Sequence, residues 1–321
     1  MIDPNLTAPD FHGLVATSPT MRKVFEQIRR ASRSNVTVLI RGESGTGKEL
    51  VARALHADGP RGVHPFRAVN CATFTSDLLA SEIFGHVKGA FTGAVRDKDG
   101  LMAQANHGTL FLDEVAEIPL SLQGRLLRVL QERRFTPVGG TRELKADVRI
   151  ISATNSGLRE LVAARKFRED LMYRLRVVVL RLPPLRDRGD DLRLLTWTLI
   201  HRFNSTSHRT ITQISPAAWR AMSSYPWPGN IRELQNNLEA AFVIGDGPTL
   251  TLDDLAPELR GEGPEPYRAP QAANVPTLLD LERQRLVKAF EDTGGRRDAM
   301  AALLEISRST LYRKLKQHGL A

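Results

Sequence analysis

The chain has 321 residues, of which 41% are hydrophobic and 25% charged, with a formal net charge of +9: the balance of a globular protein of about two or three domains. Its single cysteine, Cys71, excludes an internal disulfide framework and any cysteine-based metal site, and reads as a small packing residue. The best apolar run, 177–185, is broken by Arg181 and two prolines and falls short of the roughly 20 residues that span a bilayer, and MIDPNLTAPD is no signal peptide, so no membrane partner and a cytoplasmic location are expected; the positive charge favours a polyanion.

In chain order, Ser18-Pro19 predicts the cap and first position of a helix over Thr17–Ala31, with Met21, Val24, Phe25 and Ile28 on one face. Val36–Ile40 has the β-branched content of a buried parallel strand, and Glu49–Ala57 has apolar residues at helical spacing. Between them lies GESGTGKE: Gly42, Glu43, Ser44, Gly45, Thr46, Gly47, Lys48 and Glu49. Glycines there permit positive φ, the helix start adds partial positive charge, and Lys48 reaches β and γ phosphates, so the stretch reads as a phosphate cradle. Glu49 stands where the P-loop pattern asks for Ser or Thr, which removes the hydroxyl usually assigned to magnesium.

A strand over Phe66–Asn70 and a helix over Ser76–Phe84 follow, with Asn70 at the strand end, where side chains reach ligands in open α/β sheets. Gly85–Gly100 has neither helical nor strand periodicity and reads as an exposed, mobile insertion. Within it GAFTGA, Gly89, Ala90, Phe91, Thr92, Gly93 and Ala94, sets Phe91 at a hairpin tip, either presented to a partner or folded back on the domain. Gly108–Glu114 is an apolar strand ending in Asp113, suited to hold magnesium through water, and Glu114, suited to orient or activate an attacking water.

Leu120–Glu132 reads as an amphipathic helix, Gly139-Gly140 as a turn, and Val148–Ala153 as a strand followed by Asn155, whose amide can sense a γ phosphate. Arg168 and Arg174 precede a fifth strand, Val177–Leu182; they either pair with Glu169 or Asp170 or serve a neighbouring subunit's site. The fold class is thus α/β, a five-stranded parallel sheet with right-handed crossovers. From Asp190 the pattern is helical: Leu192–Phe203, Pro216–Ser224 and, after WPGN, Ile231–Val243, with Arg232 near the start of the last and Trp197 and Trp219 as core residues. Pro257–Pro276 reads as a linker. In Thr277–Ala321 a helix ends at Gly294-Gly295, and helices Arg297–Leu304 and Ser307–His318 meet at a tight turn near Glu305. Leu311 and Leu315 face inward, leaving Ser307, Arg308, Thr310, Arg313 and Lys316 for DNA.

With these residues in place the chain resembles the NtrC-type bacterial enhancer-binding proteins, AAA+ activators of sigma-54 RNA polymerase. VLIRGESGTGKELV, GHVKGAFTGAVRDKDG and WPGNIRELQN resemble the signature blocks of the sigma-54 interaction domain, and TLYRKLKQHGL a Fis-type DNA-binding domain. The resemblance implies an AAA+ P-loop NTPase with a helical lid and a C-terminal all-α helix-turn-helix domain. The divisions are an N-terminal tail at 1–10, a nucleotide-binding part at 11–187, a lid at 188–256, a linker at 257–276 and DNA binding at 277–321. It implies ATP and Mg2+ as cofactors, the Glu49 form of the P-loop, and GAFTGA as the sigma-54 contact. Asn70 matches the asparagine that restrains the catalytic glutamate, Asn155 and Arg232 match the two sensors, and Arg168 and Arg174 match trans-acting arginines. Implied partners are the sigma-54 RNA polymerase holoenzyme, upstream enhancer DNA, and other copies in a hexameric or heptameric ring, or a dimer at rest.

Three residues depart from the family: Val87 for Glu, Glu305 for Gly in the turn, and Arg296 for Asn after the glycine pair. Nothing before Phe11 fits the usual sensory domain, so control comes from a regulatory protein acting in trans or the chain is a piece of a longer one. The rival readings are a DNA-remodelling ATPase and a repressor that uses ATP only to assemble; GAFTGA speaks against the first.

Overall fold

The computed structural model describes residues 10–262, 278–304 and 306–317. The expected tail apart from Asp10, most of the expected linker and Glu305 lie outside the described residues. Two compact units divide after Gly261.

The first unit is built on five parallel strands, β1 (Val38–Arg41), β2 (Phe66–Asn70), β3 (Thr109–Asp113), β4 (Arg149–Thr154) and β5 (Val178–Arg181), in the order β2-β3-β4-β1-β5. Alternation along each central strand divides the core between two faces. Leu39, Leu110, Leu112 and Ile150 point to one face, against the helices Ser76–Phe84, Leu120–Glu132 and Glu169–Leu175. Val38, Ile40, Phe111, Ile151 and Ala153 point to the other, against helices Pro19–Ser32 and Lys48–Ala57. The first of these helices starts as expected: Ser18 Oγ accepts from Met21 N–H, Pro19 follows, and Met21, Val24, Phe25 and Ile28 are buried. Truncating one of the buried aliphatic side chains to Ala costs about 2–5 kcal/mol.

Register fixes the site. Asn70 pairs with Asp113 and Arg41 with Thr154, so these strands end at one level, and the loops after them carry the residues singled out in the sequence.

The lid completes this unit with helices Asp191–Asn204, Pro216–Ser224 and Asn230–Ile244. Asp191, fully buried, accepts from Thr17 N–H (2.7 Å), Ser18 N–H (2.8 Å) and Ser18 Oγ–H (2.7 Å), which ties the lid to the N-terminal helix. The buried indole is Trp227, not Trp197 or Trp219. Trp197 only flanks the lid core and Trp219 lies half-buried beneath Arg193, because their helices turn those positions outward. Leu259 also packs into the lid core, so the packed chain continues past the expected boundary at 256.

The second unit has helices Leu278–Thr293, Arg297–Leu303 and Arg308–Gln317. Among its described side chains Leu286, Ala289, Met300, Ala301, Leu311 and Leu315 form the core. Gly294 and Gly295 have φ of 58° and 75°, the left-handed turn that glycine ends a helix with.

Candidate functional site

The cradle winds as two of its three glycines predict: φ is 77° at Gly45 and 97° at Gly47, the residue that precedes the Lys48–Ala57 helix, whereas Gly42 does not take a left-handed φ. Thr46 is buried, its hydroxyl donating to Glu43 C=O at 2.8 Å. Arg188, also buried, donates to Thr46 C=O (2.9 Å) and Pro183 C=O (2.9 Å) and so holds the loop from beneath; burial lowers its pKa to about 10. Lys48 Nζ donates to Gly42 C=O (3.1 Å), Glu43 C=O (3.4 Å) and Glu114 Oε1 (3.3 Å). Glu49 departs from expectation. Its carboxylate lies on the exposed side of the helix, paired with Arg53 one turn on at 2.7 Å, and not in the cradle.

At the adjacent strand end, burial raises the pKa of Asp113, the Glu114 charge raises it further, and Lys48 opposes both. Glu114 sits at φ 48°, a left-handed conformation uncommon for a residue with a side chain and one that turns its carboxylate back over the cradle. Its Oε2 accepts from Asn155 N–H at 3.2 Å, while Asn155 Oδ1 accepts from Ser156 Oγ. Asn70 differs from the expected pairing: its Nδ2 points to Asp113 Oδ2 at 3.5 Å rather than to Glu114, since the strand register sets Asn70 beside Asp113. Cys71 is buried with its thiol pushed up to about 12, which suits packing.

The lid closes directly on the cradle. Arg232 Nη1 donates to Ser44 Oγ at 3.0 Å and Ile231 N–H to Gly45 C=O at 3.1 Å. A Cβ on Gly45 would lie 2.1 Å from Gly229 O, so this glycine is needed for the close approach as well as for its φ. Asn230 joins these contacts through its side chain, a role that sequence reading missed because WPGN looks like a local helix start. The signal that was present is a single asparagine beside glycine; its partners are far away in sequence.

Arg168 and Arg174 do not approach this cradle within the chain. Arg168 precedes the Glu169–Leu175 helix and forms an exposed pair with Asp170 at 2.8 Å; Arg174 donates to Leu130 C=O at 3.2 Å.

The Gly85–Gly100 segment is a tied hairpin, not a loose insertion. His86 bridges Lys98 and Val138, Gly89 N–H donates to Ala94 C=O at 2.8 Å, and Lys88 N–H to Asp97 Oδ1 at 2.7 Å. Thr92 and Gly93 are exposed and Ala94 is buried. Phe91 is half-buried with its ring edge-to-face on His86, centroids 5.0 Å apart, so the folded-back alternative holds in this conformation.

In the second unit Ser307, Arg308, Arg313 and Lys316 are exposed and Thr310 half-buried. Ser307 and Thr310 are engaged with each other: Ser307 Oγ accepts Thr310 N–H at 3.2 Å and lies 2.8 Å from its hydroxyl, which caps the helix start. Arg308 is paired with Asp298 of the preceding helix.

Among the described residues no helix is long and apolar enough to cross a membrane. Comparison with known families matches residues 14–181 to the Sigma-54 interaction domain, 186–272 to the AAA+ ATPase lid domain and 277–318 to the bacterial regulatory proteins of the Fis family. The regulatory protein AtoC of Escherichia coli is 44% identical over 316 residues, covering 96% of this chain and 68% of AtoC. The Nif-specific regulatory protein of Azotobacter vinelandii is 45% identical over 307 residues, covering 94% of this chain and 58% of that protein. Among solved structures, NtrX of Brucella abortus in complex with ATP superposes with a TM-score of 0.71 at 36% identity, covering 95% of this chain and 69% of that one. Its ADP complex gives 0.72 at the same identity.

Proposed function

Because the chain belongs to the NtrC-type sigma-54 activator family of AAA+ ATPases with a Fis-type helix-turn-helix, we propose that it binds upstream DNA and uses ATP hydrolysis within a ring of subunits to remodel sigma-54 RNA polymerase. The remodelling takes the promoter complex from closed to open, in the cytoplasm. The observation that carries this reading is the presence, in one compact unit, of the Lys48–Glu114 cradle and a tied GAFTGA hairpin with Thr92 and Gly93 exposed.

ATP with Mg2+ fits the donor set: an ammonium poised among cradle carbonyls, left-handed glycines at a helix start, and a carboxylate whose raised pKa a cation would relieve. Magnesium supplies charge neutralisation at the phosphates. Lys48 exchanges Glu114 for β and γ phosphate oxygens. Asp113 would hold the metal, and Glu114, once released from Lys48, would orient and activate the attacking water. Asn155, whose N–H already contacts Glu114, and Asn70, on Asp113, fix the two carboxylates. Arg232 brings the lid to the same phosphates.

Arg168 and Arg174 serve the site of a ring neighbour. The exposed Arg168–Asp170 pair is solvent-screened, so a phosphate in a drier interface displaces it readily. Gly89 to Ala94 contact sigma-54, while Ser307, Arg308, Thr310, Arg313 and Lys316 form the DNA face. The expected divisions at 11–187, 188–256 and 277–321 remain our assignment, with the lid extended to include Leu259. A hexamer or heptamer is the active assembly, with a dimer at rest and a regulatory protein in trans as the remaining partners.

The test is promoter melting with sigma-54 and sigma-70 polymerase, each with ATP and with a non-hydrolysable analogue. Opening is expected only with sigma-54 and ATP. Melting that is independent of hydrolysis, or equal with both polymerases, overturns the reading.

A further inference from the structure

The turn before the last lid helix makes more bonds than a helix start requires. Asn230 is fully buried and sits at φ 54°, a region that asparagine tolerates better than most side chains. A capping asparagine would accept from N–H groups of its own first turn. Here Oδ1 accepts from Leu185 N–H at 2.8 Å, while Nδ2 donates to Ser44 C=O at 2.9 Å, Glu43 Oε2 at 3.1 Å and, more weakly, Pro228 C=O at 3.4 Å. One carboxamide therefore joins the chain entering the lid, the cradle and the lid helix.

The surroundings hold that carboxamide in place. Glu43 receives both Arg186 Nη1 (3.0 Å) and Nη2 (2.6 Å), and its pKa is lowered first by Arg186 and then by Asn230. Ile231 N–H reaches Gly45 C=O at 3.1 Å, and Arg232 Nη1 meets Ser44 Oγ at 3.0 Å. Arginine side chains are long and flexible, so the placement of Arg232 at the cradle depends on the backbone it leaves from. That backbone is anchored by Asn230.

We infer that Asn230 is the positioning residue for Arg232, its carboxamide locking the lid helix to the cradle backbone at Ser44. The inference rests on the reading that the cradle takes a nucleotide and that Arg232 meets it. It accounts for a strained, fully buried asparagine whose bonds are all to other segments or to the turn itself.

The experiment is a double-mutant cycle read by the Kd of a fluorescent ADP analogue, with the thermal midpoint of each nucleotide-free protein measured alongside. Asn230→Gly keeps the left-handed backbone available and removes only the carboxamide. Arg232→Ala is expected to weaken binding about tenfold, the scale of one charge-assisted hydrogen bond. Asn230→Gly should weaken it by a similar factor, and the double variant should bind no worse than Arg232→Ala alone. Multiplying losses, or an Asn230→Gly protein that melts earlier yet binds as tightly as wild type, would overturn the inference.

Should Asn230→Gly fail to fold, Asn230→Asp keeps the acceptor for Leu185 N–H but sets an oxygen against both Ser44 C=O and Glu43. Weaker binding by that variant, with the double variant Asn230→Asp/Arg232→Ala no worse than Arg232→Ala alone, supports the lock; wild-type affinity overturns it. Wild-type protein that binds no nucleotide overturns the nucleotide reading itself, whereas wild-type binding with Asn230→Gly unaffected removes only the lock.

Discussion

Lys48 and Glu114 form a mostly buried ion pair, Nζ to Oε1 at 3.3 Å, with side chains 7% and 18% exposed. The contact joins the two residues to which the proposed mechanism gives the phosphate grip and the activation of water. Glu114→Gln keeps the shape and an acceptor for Lys48 but cannot act as a base. It is expected to bind a fluorescent nucleotide near wild-type affinity and to release phosphate about 10²–10⁴ times more slowly. Lys48→Ala is expected to lose binding itself.

Asp113 gives a stability prediction with a definite sign. Its pKa is raised, chiefly by burial and then by Glu114, so the folded protein holds this proton to higher pH than the unfolded chain does. Ionisation is therefore a cost to folding, absent below the unfolded carboxylate range and fully present above the raised folded value. Asp113→Asn should raise the thermal midpoint of the nucleotide-free protein near neutral pH, by about 2 °C because solvent screens part of the effect. The gain should shrink as pH falls toward the carboxylate range, and hydrolysis should be lost. A gain that is constant with pH would disprove the electrostatic origin.

Much of this was legible in the sequence because the signals were local. The cradle declares itself by glycine spacing, and the Ser76–Phe84 and Leu120–Glu132 helices by a 3.6-residue period that depends on no partner. What escaped most fully was set by distant contacts: Asn230 reads as part of a turn until Ser44 and Leu185 are brought to it. Glu49 was different, its carboxylate being drawn out of the cradle by Arg53 one helical turn on. Trp219 is turned outward on its helix, whereas Trp227 is buried in the turn between Pro216–Ser224 and Asn230–Ile244, a difference that tryptophan content alone does not reveal.

Arg149 was equally hidden, since an arginine at the start of a strand reads as an exposed edge. It is 1% exposed and meets no carboxylate among the described residues; its guanidinium donates to Ala31 C=O (2.9 Å), Leu55 C=O (3.0 Å) and Ser32 C=O (3.5 Å). These are last-turn carbonyls of the two helices packed on one face of the sheet, Pro19–Ser32 and Lys48–Ala57, where the helix dipoles favour a cation. Burial lowers its pKa to about 10, which leaves it charged at neutral pH. Arg149→Ala leaves those carbonyls and a cavity, and is expected to cost about 3 kcal/mol or more in urea unfolding. Lysine, with a single charged end in place of the fork, should recover only part of it.

His86 links the hairpin base to its tip. Its Nδ1 lies 2.8 Å from Ser81 Oγ and its ring supports Phe91. His86→Ala removes that support at a distance from the cradle. ATP turnover should stay within about twofold, as for a surface change of roughly 0.5 kcal/mol or less, while promoter opening falls. His86→Phe, which keeps an aromatic partner for Phe91, should restore opening in part. Equal opening by His86→Ala and wild type would show that Phe91 needs no support.

Arg296 occupies the N-cap of the Arg297–Leu303 helix with φ −72° and ψ 106°, and its side chain caps nothing; its Nε instead donates to Thr293 C=O at 3.3 Å. An arginine has no acceptor to offer the unpaired N–H groups of the first turn, and its charge opposes the positive end of the helix dipole. The family's asparagine supplies that acceptor. Arg296→Asn is therefore expected to stabilise this helix by about 1 kcal/mol. In hydrogen exchange on the whole chain, amides over 297–303 should be protected about fivefold more. Arg308, which leans on Asp298 in the same helix, should then bind enhancer DNA from a firmer base, so affinity is expected to rise by at most that factor. Slower exchange without a gain in DNA affinity would confine the cap to stability; unchanged exchange would show that the helix start is already satisfied by other means.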